Sequence, residues 1–382
     1  MRVLVTFAGG TGHFLPTLPY ARELYARGHQ VRYACQEAMV GVVEASGFRA
    51  VVTGGATLLS PDERRPLVPI DRAHEQRVVA DFFVARVATE RAARTQALID
   101  TWRPDLLLRD EMDLGPGVAA EAAGVPSVDV VVIAAGGFVD AALLRTPLEQ
   151  LRVQHGLPVD PASIRLHGDL TLAPVPPGLR DPADPLPDTA VAVRPPILDD
   201  AAVRGRAASA RPRARRSIYL TLGTVFAQES GDLFSRLLAG LHELVVDVLV
   251  TVGRELDPAE LRPQPAHVRV ERFVPLAEAL VGRDLVMSHA GSGTVVATLA
   301  LGLPSLLLPL GADQPWTADR CAALGVSRVL DPLTCTPADV KPAVLDLLDD
   351  CPERHAAQAL ADKTAELPNT AEATDELEAL AR

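Results

Sequence analysis

The sequence predicts an α/β protein with two doubly wound parallel-sheet domains that face each other across a cleft. In both halves of the chain, short apolar segments rich in β-branched residues alternate with amphipathic segments of helical length. The alternation is interrupted once, near the middle, by a proline-rich stretch and then an arginine-rich one. Apolar strands without strict alternation indicate strands buried on both faces, as in a parallel sheet covered by helices.

The first half starts with an apolar strand, a glycine turn and a helix, and this succession repeats to about residue 133. Glycine directly after a helical segment, as at Gly28 and Gly47, is typical of a helix end. Predicted strands cover residues 2–7, 30–35, 48–52, 106–109 and 125–133, and predicted helices cover residues 16–27, 37–45, 74–102 and 115–123. We expect a Rossmann-like domain over residues 1–195.

Residues 174–216 carry closely spaced prolines and then arginines, and we expect this stretch to bury no core. It is interpreted as the crossing between domains, with the linker itself at residues 196–216. The basic run at 204–216 could be a patch for polyanions, but a solvated loop is the simpler interpretation.

From residue 217 the alternation resumes. Predicted strands cover residues 217–222, 246–252, 268–273, 285–288 and 305–309, and predicted helices cover residues 231–244, 276–280, 293–301 and 313–324. We expect a second Rossmann-like domain over residues 217–365. Residues 366–382 should form a C-terminal helix that packs back toward the first domain.

The composition is that of an ordinary globular protein, with 382 residues, 48% hydrophobic and 23% charged. A formal net charge of −12 disfavours non-specific binding to nucleic acid or anionic lipid. The four cysteines lie far apart without a C-x-x-C pattern, which indicates a reduced, cytoplasmic protein without structural zinc. No apolar run reaches the ~18 residues of a membrane helix, so no stable membrane insertion is expected. A monomer and a homodimer both remain open.

In doubly wound sheets, ligands bind in the loops after the carboxyl ends of the strands, and four such loops are informative. Gly9-Gly10-Thr11-Gly12-His13 follows the first strand but lacks the third glycine of a dinucleotide fingerprint. It instead places His13 at the start of a helix, where an imidazole can act as a general base.

Asp110 ends the strand at 106–109, on the same sheet edge as His13. A carboxylate there could hold one tautomer of the imidazole and stabilise its protonated form. Glu111 is adjacent, and the residues alone do not decide between the two acids. The cluster Asp110-Glu111-Met112-Asp113 could also be a metal site, although no other ligand cluster accompanies it.

The third loop, Ser288 to Thr294, joins a strand end to a helix start. Backbone amides of Ser292, Gly293 and Thr294 at a helix N-terminus favour a phosphate or pyrophosphate, and His289 adds a donor. In the fourth loop, Asp313 and Gln314 are a pair suited to sugar hydroxyls, although Asp313 could equally be a helix N-cap.

Together these loops resemble the nucleotide-sugar-dependent glycosyltransferases of the GT-B fold, in particular the bacterial branch that decorates macrolides and other polyketides. The matching pieces occur in order over nearly the whole chain. They are GGTGH at 9–13, RDEMD at 109–113, TLGT at 221–224, RFVP at 272–275, HAGSGT at 289–294 and PLGADQP at 309–315.

The resemblance implies a role for each matching residue. His13 corresponds to the catalytic base and Asp110 to the acid that orients it. The residues that correspond to the donor site are Gly12, Gly223, Thr224, Phe273, Val274, His289, Gly291, Ser292, Gly293, Thr294, Asp313 and Gln314. Among these, Gly223 and Thr224 lie near the diphosphate, Val274 reads the base, and Asp313 with Gln314 holds the sugar.

Relatives that use UDP-sugars commonly carry a glutamate eight residues after the signature histidine, bound to both ribose hydroxyls. Here that position is Ala297, so the resemblance implies a dTDP-sugar, with a deoxysugar expected, as co-substrate and no other cofactor. It also implies inversion at the anomeric carbon without a metal ion, and no D-x-D motif is present.

The acceptor pocket should be shaped by residues 54–83 and 134–169. Phe82, Met112 and Phe138 are its candidate lining residues, which suggests a hydrophobic small-molecule acceptor, although the same residues could simply be core. Two other functions remain as alternatives: a nucleotide-sugar epimerase or hydrolase of the same fold, or a non-catalytic helper of a partner transferase.

Overall fold

The computed structural model describes residues 1–56, 65–160, 166–207, 215–261 and 263–382. Parts of three predicted regions therefore lie outside the described residues: 57–64 and 161–165 of the acceptor loops, and 208–214 of the linker and its basic run.

Within these ranges the first sheet has seven parallel strands in the order β3-β2-β1-β4-β5-β6-β7. The strands are β1 (Arg2–Thr6), β2 (Gln30–Cys35), β3 (Arg49–Val52), β4 (Leu106–Asp110), β5 (Ser127–Val130), β6 (Leu170–Ala173) and β7 (Ala190–Ala192). The helices of this half are α1 (Thr11–Ala26), α2 (Val40–Ala45), α3 (Arg72–Val78), α4 (Thr89–Trp102), α5 (Leu114–Ala123) and α6 (Ala141–Gln154). A π-helical stretch, Val79–Ala88, joins α3 to α4.

The second sheet has six parallel strands among the described residues, in the order β10-β9-β8-β11-β12-β13. They are β8 (Arg216–Thr221), β9 (Val246–Thr251), β10 (Val268–Glu271), β11 (Leu285–Ser288), β12 (Ser305–Leu307) and β13 (Ser327–Val329). After α7 (Ala201–Ala207), its helices are α8 (Leu233–Leu241), α9 (Leu276–Leu280), α10 (Ser292–Ala300), α11 (Gln314–Ala323), α12 (Pro337–Leu348) and α13 (Pro352–Ala365). The predicted fold class, two doubly wound parallel sheets, is confirmed.

Each sheet is buried between helices, as its apolar strands require. Leu106, Leu107 and Leu108 of β4 are fully buried although their side chains alternate between the two faces. One face packs with α1 in a cluster around Val5 and Leu108, and the other packs with α4 and α5 around Leu107. The second sheet repeats this arrangement.

The prediction that residues 174–216 bury no core is wrong for their first part. Leu179 and Val193 are fully buried, and β7 pairs with β6 at the edge of the first sheet. The prolines at 187, 195 and 196 lie outside β7 and therefore do not interrupt its hydrogen bonds to β6. The strand predicted at 125–133 also ends early, at Val130, because the chain turns at Gly136 and Gly137, both with a φ of +74°.

The last helix, α14 (Thr370–Leu380), packs on the first domain. Ala373 and Leu377 enter the core around α1, and Arg27 donates to Asp375 at 2.6 Å. The two crossings between the halves run side by side, since the Arg194 amide donates to the Pro368 carbonyl at 2.9 Å. The limits of the four predicted segments stay a prediction.

Strand order reverses between β1 and β4 in the first sheet and between β8 and β11 in the second. At such a switch point the flanking connections diverge to opposite faces and leave a crevice at the carboxyl edge of the strands. His13, Asp110, Gly223 and His289 lie at the carboxyl ends of these four strands or in the segments that directly follow them. The two switch points therefore bring together the motifs that the sequence singled out.

Candidate active site

His13 lies in the first turn of α1 and faces the end of β4. Its Nδ1 is 3.3 Å from Oδ1 of Asp110, and its side chain is 23% exposed whereas that of Asp110 is inaccessible. Gly9, with a φ of +135°, allows this approach, because a Cβ there would lie 2.5 Å from Cδ2 of His13. The two predicted partners are therefore in contact.

Asp110, not Glu111, is the acid that meets His13. Two backbone amides hold it in place: that of Ala8 donates to Oδ2 and that of Met112 to Oδ1, both at 2.7 Å. With Nδ1 turned to Asp110, Nε2 is the nitrogen left to accept a proton. Burial alone would lower the pKa of His13, but the charge and hydrogen bond of Asp110 raise the pKa above 6.5.

The other acids of the cluster serve the scaffold. Glu111 Oε1 accepts from the amides of Val132 and Ile133 at 2.6 and 2.5 Å. Asp113 forms a buried ion pair with Arg91 at 2.6 Å. Among the described residues, no three His, Cys, Asp or Glu side chains come together as metal ligands.

At the second switch point, His289 lies between two glycine backbones. A Cβ on Gly223 or Gly291 would lie 2.5 or 2.6 Å from Nε2 of His289. Burial lowers the pKa of His289 to about 4, so the ring is neutral at physiological pH. Its Nδ1 is buried and has no hydrogen-bond partner in the described structure, which is a cost that a bound ligand could relieve.

The start of α10 supplies polar groups beside His289. Ser292 donates its hydroxyl to Oδ2 of Asp313 at 2.7 Å and accepts from the Ala134 amide of the first domain at 3.0 Å. Gly293 is exposed. The Thr294 amide donates to the Gly291 carbonyl at 3.0 Å, so in this conformation it is already occupied.

Asp313 is at the N-cap position of α11, but its side chain does not cap the helix. It points to Ser292 instead, and burial raises its pKa. The charge of Asp313 also raises the pKa of His13, which indicates that these two side chains lie near each other across the cleft. Gln314 is buried and accepts from the amides of Leu310 and Gly311 at 2.7 and 3.2 Å, so it shapes the loop that carries Asp313.

The remaining donor-site candidates lie at the rim. Phe273 is 56% exposed, with the Arg254 guanidinium 5.8 Å from its ring centre, and Val274 is half-buried beside it. Gly12 and Thr224 are exposed at the ends of the loops after β1 and β8.

On the acceptor side, Met112 and Phe138 are buried in one apolar cluster of the first domain. A cavity of about 80 Å³ beside them is lined by Glu111, Met112, Ile133, Gly136, Leu144 and Arg180, among others. Phe82 lies on the outer side of this region, half-buried against Phe83 and Arg86.

Phe83 belongs to the predicted acceptor segment 54–83, whereas Glu75 and Trp316 were not singled out from the sequence. The ring centre of Phe83 lies 6.4 Å from that of His13. Glu75 of α3 reaches the loop of Asp313, where burial raises its pKa despite a hydrogen bond from Ala312. Trp316 of α11 packs on Phe138. No local motif marks them, because each acts through a contact between distant segments.

Comparison with known proteins identifies the family. Residues 235–380 match the family described as erythromycin biosynthesis protein CIII-like, C-terminal domain. The chain is 30% identical to 10-deoxymethynolide desosaminyltransferase of Streptomyces venezuelae, over 100% of this chain and 97% of the relative. The chain belongs to the antibiotic-pathway glycosyltransferases.

A second relative of this glycosyltransferase is the L-demethylnoviosyl transferase of Streptomyces niveus, 30% identical over 97% of this chain and 96% of the relative. The solved structure of the spinosyn rhamnosyltransferase SpnG complexed with thymidine diphosphate superposes with a TM-score of 0.81 at 24% identity, covering 99% of this chain and 100% of that one. The superposition shows that the glycosyltransferase has the GT-B fold. In the described part of the chain, no helix combines the length and the apolar character needed to cross a membrane.

Proposed function

We propose that this glycosyltransferase transfers a sugar, of the deoxysugar class, from dTDP to a hydroxyl group of a hydrophobic natural-product aglycone, with inversion at the anomeric carbon. One observation carries the proposal: two groups of polar residues lie close together at the two switch points. One group is the pair His13 and Asp110, and the other consists of His289, Ser292 and Asp313. One side of the cleft can take a proton, and the other can bind an anion and a sugar.

His13 is the base in this proposal. Its Nε2 takes the hydroxyl proton of the acceptor while the oxygen forms a bond to the anomeric carbon. Asp110 holds Nδ1–H and stabilises the imidazolium, as the carboxylate of a catalytic triad does. The bond from the anomeric carbon to the phosphate oxygen breaks on the opposite face, so one displacement inverts the configuration.

The leaving diphosphate gains negative charge as that bond breaks, and the second domain offers donors for it. The N-terminus of α10 carries a partial positive charge from its backbone dipoles. His289, held neutral by burial, can donate from a ring nitrogen, and its unpartnered Nδ1 supports a ligand at this position. Gly223 and Gly291 let the His289 ring lie against the backbone, and Gly293 has open space around it at the start of α10.

Two features support dTDP as the nucleotide. Ala297, at the position of the ribose-binding glutamate in UDP-dependent relatives, is buried in an apolar cluster with Tyr219 and Leu249. It offers no group for a ribose 2′-hydroxyl, which thymidine lacks. SpnG, which shares the fold, was solved with thymidine diphosphate. In this proposal the exposed ring of Phe273 stacks on the base, and Asp313 with Gln314 binds the sugar.

Turnover tests the proposal directly. The full chain is incubated with a dTDP-deoxysugar and a panel of aglycones, namely 10-deoxymethynolide, a second macrolactone and an aromatic polyketide. We expect released dTDP together with a mass increment of one sugar on the aglycone. Release of dTDP without a glycosylated product would indicate a hydrolase, and no release with any aglycone would contradict a catalytic role.

Calorimetry tests the nucleotide separately. We expect dTDP to bind more tightly than UDP, because Ala297 offers no hydrogen-bond partner to offset the desolvation of a 2′-hydroxyl. A clear preference for UDP would contradict the proposed donor even if sugar transfer is observed.

A further inference from the structure

The two domains meet beside Asp313 through a contact made by four residues. Trp316 of the second domain packs edge-on against Phe138 of the first, with ring centres 5.4 Å apart. The Arg72 guanidinium of α3 lies 5.1 Å from the centre of the indole ring, and Gly137 contacts its edge.

The backbone of the first domain is shaped to admit the indole ring of Trp316. Gly137 has a φ of +74°, and a Cβ there would lie 2.8 Å from Cδ1 of Trp316, so only glycine lets the indole in. Gln76 donates to the Gly137 carbonyl at 3.1 Å and holds the turn. Arg72 also bonds to Asp319 of α11 at 2.7 Å. Two separate segments of the first domain, α3 and the turn at Gly137 and Phe138, therefore converge on one side chain of α11.

Trp316 lies between Asp313, the proposed sugar-binding residue, and the apolar cluster on the acceptor side of the first domain. It follows Asp313 by three residues at the start of α11, a spacing that places two side chains on the same side of a helix. Toward the first domain it packs on the apolar cluster that contains Met112, Ile133 and Phe138. Ile133 and Met112 also line the 80 Å³ cavity of the acceptor side.

We propose that Trp316 is a specificity-determining residue, by which the donor domain closes one wall of the aglycone pocket. This rests on the proposed transferase function. The indole reaches the acceptor-side cluster only when the domains are together, so an apolar aglycone that packs against this wall favours the closed arrangement. Binding of the aglycone and closure over the donor sugar are then coupled through one side chain.

Kinetics of Trp316→Phe and Trp316→Ala test this assignment. The alanine variant should raise the KM for the best aglycone of the panel by about 10-fold to 100-fold, from loss of a large buried apolar contact. The phenylalanine variant should fall between it and the wild type. The Kd for dTDP should change by less than about threefold, since Trp316 contacts the first domain rather than the nucleotide.

Trp102→Phe is the matched control. Trp102 is the other tryptophan of the chain, is buried, and carries the Arg32 guanidinium 4.6 Å from its ring centre, but it lies in a different cluster around Leu107. Its KM for the aglycone should stay at the wild-type value. An unchanged aglycone KM in Trp316→Ala, or an equal rise in the dTDP Kd, would overturn the proposal.

Fluorescence separates this inference from the transferase function itself. In Trp102→Phe, Trp316 is the remaining indole, and its emission should change when an aglycone of the panel is added. If the wild type glycosylates nothing but this emission responds to an aglycone, the transferase proposal fails while the wall assignment stands. If no aglycone alters the emission, the assignment of Trp316 is wrong.

Discussion

Burial and charge act in opposite directions on His13. Removing an imidazole from water favours its neutral form, whereas a carboxylate at 3.3 Å favours the protonated one, and the carboxylate has the larger effect together with its neighbours. His289 has burial without such a partner, and its pKa falls to about 4. The pKa values of the two histidines in the cleft are therefore shifted in opposite directions. The shift suits His13 to accept a proton and keeps His289 neutral, as a hydrogen-bond donor.

We expect His13→Ala to lose about 10²-fold to 10⁴-fold in kcat while the Kd for dTDP stays near the wild-type value. The base must be neutral to act, so activity should fall as the pH falls through its raised pKa, and the acid limb of kcat/KM should lie above pH 6.5. In Asp110→Asn the raising charge is lost and burial remains, so that limb should move to lower pH. Full activity of His13→Ala would refute the assignment of the base.

At the scale of elements, α4, the helix that precedes β4, is anchored by one buried arginine. Arg91 of α4 donates to both carboxylate oxygens of Asp113, and also to Thr53 Oγ1 and to the carbonyls of Gly54 and Ala34. Both members of the ion pair are inaccessible to water. The guanidinium thus ties the loop after β4, which begins directly after Asp110, to the strand ends beside it.

Arg91→Met should lower the free energy of unfolding by about 3–5 kcal/mol, because it leaves the Asp113 carboxylate buried without its partner. Chemical denaturation measures this. The double variant Arg91→Met with Asp113→Leu should recover most of the loss. Arg94→Met on the exposed face of the same helix, where the pair with Glu90 is half-exposed, should cost less than about 1 kcal/mol. Equal effects at the two positions would contradict a buried anchor.

The order of strands and helices and the loop motifs were predictable from the sequence, because hydrophobic pattern and glycine turns are local signals. The edge strand β7 was not, since the prolines on either side of it indicated a linker and its pairing depends on β6, itself unpredicted. The sequence left Asp110 and Glu111 undecided, and only the amides of Ala8, Met112, Val132 and Ile133 separate them. Glu75 and Trp316 were not singled out from the sequence because their partners lie on distant segments.

At the scale of the whole molecule, the last helix belongs to the first domain by packing although it follows the second in the chain. Leu377 is fully buried against α1, and His29 bonds to Glu378 at 2.7 Å. The first domain is therefore completed by the end of the chain.

Leu377→Ala should lower the free energy of unfolding by about 2–5 kcal/mol, from lost burial and the cavity left behind. Thermal unfolding monitored by calorimetry would show it. Leu345→Ala, which removes the same atoms from a site that is 44% exposed on α12, is the control and should change stability little. A similar loss in both variants would mean that α14 contributes no more than a surface helix.

The two crossings between the domains also determine how the cleft can open. They are bonded to each other through Arg194 and Pro368, and Thr370 of the second crossing donates to Asp199 of the first at 3.0 Å. Paired in this way, the two crossings have the geometry of a hinge. Sliding of one domain past the other would break these bonds, whereas rotation of the domains about the line through them would preserve them. Opening of the cleft by such a rotation would break the interdomain hydrogen bond from the Ala134 amide to Ser292 Oγ, which would re-form on closure.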